Sequence, residues 1–586
     1  MSAAFELRAM RATRSHQYEL VGPLQRVMEF LDARRLTGPS LIFDGPGTIL
    51  DVSCTPDEAD KIVPVWQKNV TRMLSELGWE QARFASQTLL GGVSMAFSAP
   101  IDALYAATEI NEWAWAACAN ELGVPVAVPD FTATVTAFRS AVTEEANPAL
   151  MRLIAAATSH GKTLLWDDDE VSVGLGSGSQ TWPVRDIPDD VDWDRYHDVP
   201  VGIVTGTNGK TTTVRLAMHI ARAASDKVGL SSTDWIAVND HVIERGDWSG
   251  PGGARAVLRE QQVDVAILES ARGGLLRRGL GVDRADAALI TNIAEDHLGD
   301  FGSQSLDELL NVKWIVSRVV RDSGSLILNA DDELLRRKAS EFDGAVVWFS
   351  LDSESEMARS RIEGGDLVFV LDKDELLKID GGVSELICRS SEIPITLGGL
   401  ARHNVANSLS AAALTWCLGY SINAIRGGLT GMQQDGNPGR CNVYAVDRFK
   451  VLVDFAHNPA AMSALFDMAQ AIPAKRRVLC FGQAGDRPDG SIREMARDAW
   501  SIGLNQVMIS ELAEYYRGRK PGDVFSVIKD ELLACGAGAS QIAHYDEEIE
   551  SFDAAIRWAE PGDLVIMLAL GGAAPIQERL KELGAE

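Results

Sequence analysis

The sequence is short of three things. No apolar run approaches the roughly 20 residues that a membrane-crossing helix needs. The opening segment, MSAAFELRAMRATRSHQYEL, is interrupted by Glu6 and Glu19 where a secretory signal would carry an apolar core. The expectation is a water-soluble chain in the cytoplasm with no membrane partner. There are seven cysteines and no CxxC pair among them, which argues against a disulfide framework and against a structural zinc site. Positive charge is also scarce: 55 Lys and Arg face 83 Asp and Glu, a formal net charge of -28. A field of that sign repels nucleic acid, excluded here as a partner, and favours solubility or a cationic ligand such as arginine.

Length, in contrast, is plentiful. At about 100–200 residues per domain, the 586 residues make three or four domains. Gly, Ser, Pro and Asp crowd GLGSGSQTWPVRDIPDDVDWDRYHDVP, from Gly174 to Pro200, which reads as a strand hairpin followed by a linker. A second break is GMQQDGNPGR, from Gly431 to Arg440. The chain therefore divides into 1–195, 196–432 and 433–586. The middle part alternates β-branched runs (VGIVT, VDVAILE, AALITNI, GSLILN) with helical segments, and the last repeats that style in FKVLVDFAHN, RRVLCFGQAG, QVMIS and DLVIMLAL. Both predict α/β layers, a parallel sheet covered by helices. The first part, with a helix predicted at about 101–122, reads as a smaller α+β unit.

The chemistry is concentrated in VGIVTGTNGKTTTVRLAMHIA, from Val201 to Ala221. A strand delivers the chain to Gly206, and Gly209, Lys210, Thr211 and Thr212 open a helix with Val214, Leu216, Ala217 and Ile220 on its apolar face. In that setting glycines let backbone N–H groups face a phosphate and the helix N-terminus adds its positive end. Lys210 reaches the outer phosphates, and a threonine hydroxyl, assigned to Thr211, meets Mg²⁺. The ordinary P-loop has four residues between its glycines, whereas Gly206 and Gly209 enclose only Thr207 and Asn208. VDVAILESARGG carries a buried strand ending at Glu269, and ALITNIAEDHLGDFG leads to Asp296 and His297, at strand ends where open α/β sheets place their sites. In SLDELLNVKWIVSRVV, Ser305 and Glu308 form a capping box, followed by an amphipathic helix with Leu309, Val312, Val316 and Val320 on its apolar face. Lys313 sits at the edge of that face, either snorkelling to water or buried with a lowered pKa.

GTNGKTT resembles the ATP-binding loop of the Mur ligase superfamily, whose members join a carboxylate to an amine while splitting ATP to ADP and phosphate. The fold implied is a P-loop parallel-sheet central domain and a Rossmann-like C-terminal domain. The resemblance also implies that Gly206, Thr207, Asn208, Gly209, Lys210, Thr211 and Thr212 hold ATP and that Glu269 and His297 bind Mg²⁺. A second Mg²⁺ would meet Lys313 carbamylated by CO₂. GGLARHNVANSLSAAAL resembles the family's HNxxN helix, which puts Asn404 and Asn407 at the adenine. Arg440 of NPGRCNVY falls at the phosphates and Asp454 of VLVDFAHNPAAM at the ribose, with domain closure over the nucleotide.

Three further stretches, ESARGGLLRRGLGVDRADAALITNIAEDHLG, GQAGDRPDGSIREMA and YYRGRKPGDV, resemble the Mur half of the cyanophycin synthetases. NPALMRLIAAATSHGKTLLWDDDEVSVGLGSGSQ resembles their N-terminal domain more weakly. Those enzymes carry an ATP-grasp domain between the two parts, for which the stretch from Ser179 to Val201 leaves no room. The implied reaction is therefore isopeptide ligation alone: an aspartate side chain or similar carboxylate, activated as an acyl phosphate, is joined to an amino acid amine such as arginine. Arg278 stands where the family pattern is acidic. His457 and Asp486 are candidates to orient the amine, and Arg517 and Arg519, beside Lys520, to clamp a substrate carboxylate. A homo-oligomer, dimer or tetramer, acting on small-molecule or peptide substrates is expected. Two alternatives stay open: a degenerate nucleotide-binding scaffold that regulates a true synthetase, and an ATPase or small-molecule kinase.

Overall fold

The computed structural model describes residues 28–89, 91–296, 305–571 and 573–585, and His297 lies outside them. Among these residues the strands form four sheets. The largest has eleven strands. Its centre runs Val228–Ser231, Val265–Glu269, Val201–Thr205, Ala285–Ile290, Val320–Asn329, Ala345–Ser350 and Val368–Asp372, all parallel, with antiparallel strands added at both edges. VGIVT and VAILE are buried along their whole length, because helices cover both faces of the sheet at these strands. One face packs on Val214, Leu216 and Ile220 of the helix Lys210–Ala223 and on Leu409 and Leu414 of the helix Arg402–Cys417.

The C-terminal sheet has six strands in the order Asn442–Val446, Phe449–Asp454, Leu564–Leu568, Arg477–Phe481, Gln506–Ser510 and Ile542–Tyr545, parallel except for the first. The first part of the chain forms a four-stranded antiparallel sheet, Glu29–Leu36, Gly47–Ser53, Gly92–Ser98 and Phe84–Leu89, packed on the helices Pro56–Leu77 and Leu104–Glu121. A small hairpin sheet, Leu164–Trp166, Glu170–Val173 and Gln180–Pro183, leads into the middle part. The α/β class expected from the sequence, with a smaller α+β unit in front, is the class found. No helix among the described residues is long and apolar enough to cross a membrane.

One element departs from its reading. The stretch after Ser305 is not a single amphipathic helix through Val320: the α-helix is Leu306–Lys313, a 3-10 segment covers Trp314–Val319, and Val320 already starts a strand. Leu309, Val312, Val316 and Val319 are all buried in the same core, and β-branched residues there favour the switch to an extended chain. Lys313 thus ends a helix against the interior instead of lying mid-helix at its rim.

Candidate active site

Three neighbouring parallel strands, ending at Thr205, Glu269 and Ile290, deliver their loops to the same edge of the sheet. The loop after Thr205 is pressed against both neighbours. Gly206 has φ +142°, and a Cβ there would come within 1.9 Å of Thr291 Oγ1; Gly209 has φ +85°, and a Cβ there would lie 2.2 Å from Asn407 Oδ1. Glycine is therefore required twice, by backbone angle and by space. The N–H groups of Thr207 and Asn208 are already committed, to the Asn292 backbone oxygen at 2.9 Å and its Oδ1 at 2.9 Å. The donors left for a ligand are instead those of the helix Lys210–Ala223, whose N-terminus at Gly209 carries no side-chain cap. An uncapped N-terminus of a full helix opening on a cavity fits a phosphate group. Lys210 Nζ meanwhile donates back to Thr207 O at 2.8 Å, so it must leave that carbonyl to reach a phosphate.

Below the loop the polar groups are dense and buried. Glu269 is 2% exposed. It accepts from Thr211 Oγ1 at 3.0 Å, from Thr233 N at 3.2 Å and from Thr233 Oγ1 at 2.7 Å. A hydroxyl paired with a carboxylate is the hard oxygen set that Mg²⁺ prefers, so the donors fit that ion. Among the described residues no group of three or more His, Cys, Asp or Glu gathers as a metal cluster. Lys313 is 3% exposed and donates to Gly206 O at 2.7 Å. Burial pushes its ammonium well below the ordinary lysine value; Lys210 and Arg272 act the same way and Asp296 opposes them. The snorkelling alternative is excluded, since the chain ends under the phosphate loop.

A cavity of about 720 Å³ lies between this floor and the C-terminal unit. Thr207 to Thr212, Glu269 and Lys313 line it from one side, and Asn404, Asn407, Arg440, Asp454, His457 and Arg517 line it as well. Two seams close it. Asn208 and Asn458 exchange amide hydrogen bonds of 3.2 and 2.9 Å, and Asp296 lies 3.3 Å from Arg487 Nη2 and 3.6 Å from His457 Nε2. Asn404 donates to Ile395 O at 2.8 Å and accepts from Asn407 at 3.1 Å. Asp454 accepts from the N–H groups of Cys441 and Ala456, and burial pushes its carboxyl up, against the opposing charges of His403 and Arg440. Gly206, expected at the nucleotide, is not among the residues that line the cavity, because it is pressed against Thr291.

The two predicted carboxylate clamps separate. Arg517 lines the cavity and pairs with Asp486. Arg519 does not line it: its guanidinium donates to the backbone oxygens of Gly485 at 2.7 Å and Arg487 at 2.6 Å and pairs with Asp489 at 2.7 Å. The expectation for Arg519 is corrected accordingly, because its donors are consumed in fastening the turn that carries Asp486 and Arg487; Arg487 lines the cavity, and Asp486, expected to orient the amine, does not. Lys520 is likewise not a lining residue. Sequence reasoning missed Thr233, Asn458 and Arg487. Asn458 could have been found, since an Asn immediately before Pro459 is an N-cap signal and its Oδ1 does cap that helix. Thr233 carried no such signal, being an ordinary loop residue until the fold sets it beside Glu269.

Residues 204–415 match the family model described as the Mur ligase middle domain, and residues 439–571 that of the Mur ligase glutamate ligase domain. Cyanophycin synthetase of Crocosphaera subtropica is 33% identical over 371 residues, which are 63% of this chain and 42% of that protein. The chain thus spans about two fifths of the length of that curated relative. The UDP-N-acetylmuramoyl-L-alanyl-D-glutamate--2,6-diaminopimelate ligase of Gloeobacter violaceus is 26% identical over 386 residues, 64% of this chain and 74% of that one. The solved structure of E. coli FolC in complex with DHPP and ADP has 20% identity and a TM-score of 0.49, covering 65% of this chain and 89% of that chain.

Proposed function

This chain belongs to the Mur ligases by its middle and C-terminal domains, and on that premise we propose that it is an ATP-dependent acid–amino-acid ligase. It activates a carboxylate, an aspartate side chain or a close analogue, and joins it to the amine of an amino acid, releasing ADP and phosphate. One observation carries the reading: a single cavity brings the uncapped phosphate-loop helix, the Thr211–Glu269 pair and buried Lys313 together with cationic groups from the C-terminal unit. Arginine is the first amine to test, because the chain's excess of negative charge favours cations.

A carboxylate is a poor electrophile, and conversion to an acyl phosphate lets an amine attack it. The free N–H groups at Lys210 to Thr212 cradle the phosphates, and Lys210 swings from Thr207 O to the transferring group, where positive charge is needed most. Thr211, Glu269 and His297 would hold Mg²⁺, which when bound neutralises phosphate charge. Burial disfavours the charged form of Lys313, and its uncharged amine is the form that adds CO₂: the nitrogen forms the new N–C bond and gives up a proton to water, leaving a carbamate anion. Arg517 holds a substrate carboxylate, and His457 takes the proton from the incoming ammonium. Asn404 and Asn407 stand at the base and Asp454 at the ribose.

The test incubates the protein with ATP, Mg²⁺, a panel of amino acids and a panel of aspartate-containing acceptors, following phosphate release and product mass together. Phosphate released only with one amine and one acceptor, with a mass gain equal to the amine minus water, is the expected result. Phosphate without a mass gain would point to an ATPase or kinase. Bound nucleotide without turnover would point to the scaffold.

A further inference from the structure

The strap between the middle sheet and the C-terminal unit, residues 434–440, is tied to the phosphate-loop helix. Asn437, with no exposed surface, accepts from Arg215 Nη1 at 3.0 Å and donates to Thr212 Oγ1 at 3.2 Å. Arg215 is itself completely buried on that helix. Its Nη2 donates to Asp234 Oδ2 at 2.5 Å, and its guanidinium lies 4.2 Å from the centre of the Trp235 ring. The same Asp234 oxygen is 3.7 Å from Arg440 Nη2, and the Arg440 guanidinium stacks 4.4 Å from the centre of the Phe455 ring.

One carboxylate therefore serves two guanidiniums unequally. Arg215 is locked by Asn437, by Asp234 and by the indole face, and it has no route to the cavity. Arg440 lines the cavity and stands beyond hydrogen-bond distance from Asp234. An anion entering the cavity competes for Arg440 and leaves Arg215 in place. Burial brings Arg215 down to about 10, and the charge of Arg440 adds to that depression, so moving Arg440 away also relieves a repulsion between like charges.

We propose that Asp234 is a positioning residue for nucleotide capture: it parks Arg440 at the hinge and releases it to the phosphates, so that nucleotide affinity is set by this competition. The inference rests on the reading of the cavity as an ATP site and adds to it a side chain that touches no phosphate. The release also has a path to the floor of the site. Thr233, the preceding residue, donates to Glu269 from both its N–H and its hydroxyl, so the parking carboxylate and the candidate metal ligand share one loop.

Calorimetric titration of the full chain with ADP and with a non-hydrolysable ATP analogue tests this. Asp234→Asn should bind the analogue about two- to fivefold more tightly, the size of one partly exposed ion pair, with a smaller gain for ADP. Arg440→Ala should weaken binding, and adding Asp234→Asn to it should change nothing further. If Asp234→Asn fails to fold because Arg215 loses its partner, the pair Arg215→Met with Asp234→Asn removes the buried guanidinium together with its part-exposed carboxylate, leaves no unpaired buried charge, and should show the same gain. Weaker or unchanged binding in Asp234→Asn, or in Arg215→Met with Asp234→Asn where the single variant does not fold, or the same change from Asp234→Asn with and without Arg440, would overturn the proposal. A wild-type chain that binds neither nucleotide would instead overturn the reading of the cavity.

Discussion

The floor and the roof of the cavity are built differently. On the floor Glu269 is 2% exposed and accepts three hydrogen bonds from two threonines, and Lys313 is 3% exposed under the phosphate loop. On the roof the Arg517 side chain is 40% exposed and pairs with Asp486, and His457 and Asp296 stand 3.6 Å apart. A floor of that kind fixes charges before a ligand arrives, which suits a group every substrate shares. A looser roof can re-pair its arginines, which suits the part of the reaction where one ligase differs from another. Floor variants should therefore cost turnover or stability, and roof variants substrate preference.

The largest effect is expected at Lys210. Lys210→Ala should lower phosphate release by about a thousandfold with little change in melting temperature, because the side chain's hydrogen bond to Thr207 O stays within the loop itself. Lys313→Met separates activity from stability more sharply: turnover should fall by about a hundredfold while the melting temperature holds or rises, since a buried ionisable group is replaced by an apolar one of similar length. The same variant reveals a pH dependence. With the folded-state value depressed, the unfolded chain binds the Lys313 proton over the window from that value up to about 10.4, so wild-type stability should climb with pH through that window. Denaturant titrations of both proteins between neutral and alkaline pH should show this climb in the wild type and its loss in Lys313→Met.

Gly209→Ala attacks the floor through its backbone. With φ +85° and Asn407 Oδ1 in the path of the Cβ, it should cost about 1–3 kcal/mol, read as a drop in denaturation midpoint together with weaker nucleotide binding. The smallest effect belongs to the roof. Arg517→Gln should raise the KM of the substrate whose carboxylate it holds by about tenfold, leaving kcat near wild type and stability within about 0.5 kcal/mol. A stability loss there comparable to that of Gly209→Ala would erase the contrast between floor and roof.

How legible each part was follows the same division. VGIVTGTNGKTTT announced strand, glycine turn and helix because each step is local: β-branched residues extend, Gly206 and Gly209 take angles other residues resist, and the helix begins at Lys210, directly after Gly209. Which N–H groups remain free for an anion was not local. Those of Thr207 and Asn208 are taken by Asn292, a residue of a different strand's loop. The roof was harder still, because Arg517 and Arg519 are equivalent in the string YYRGRK, and only the folded turn points one into the cavity and the other onto its own backbone.

By itself the sequence determined the α/β layering and the glycine loop between a buried strand and a helix, since periodicity, turn chemistry and residue type are properties of short segments. Tertiary structure alone decided the depth of Lys313, the Asn208–Asn458 seam and the sharing of Asp234 by Arg215 and Arg440. Each of these depends on the distance between groups remote in the chain, and burial and charge act through that distance, whatever the order of the residues.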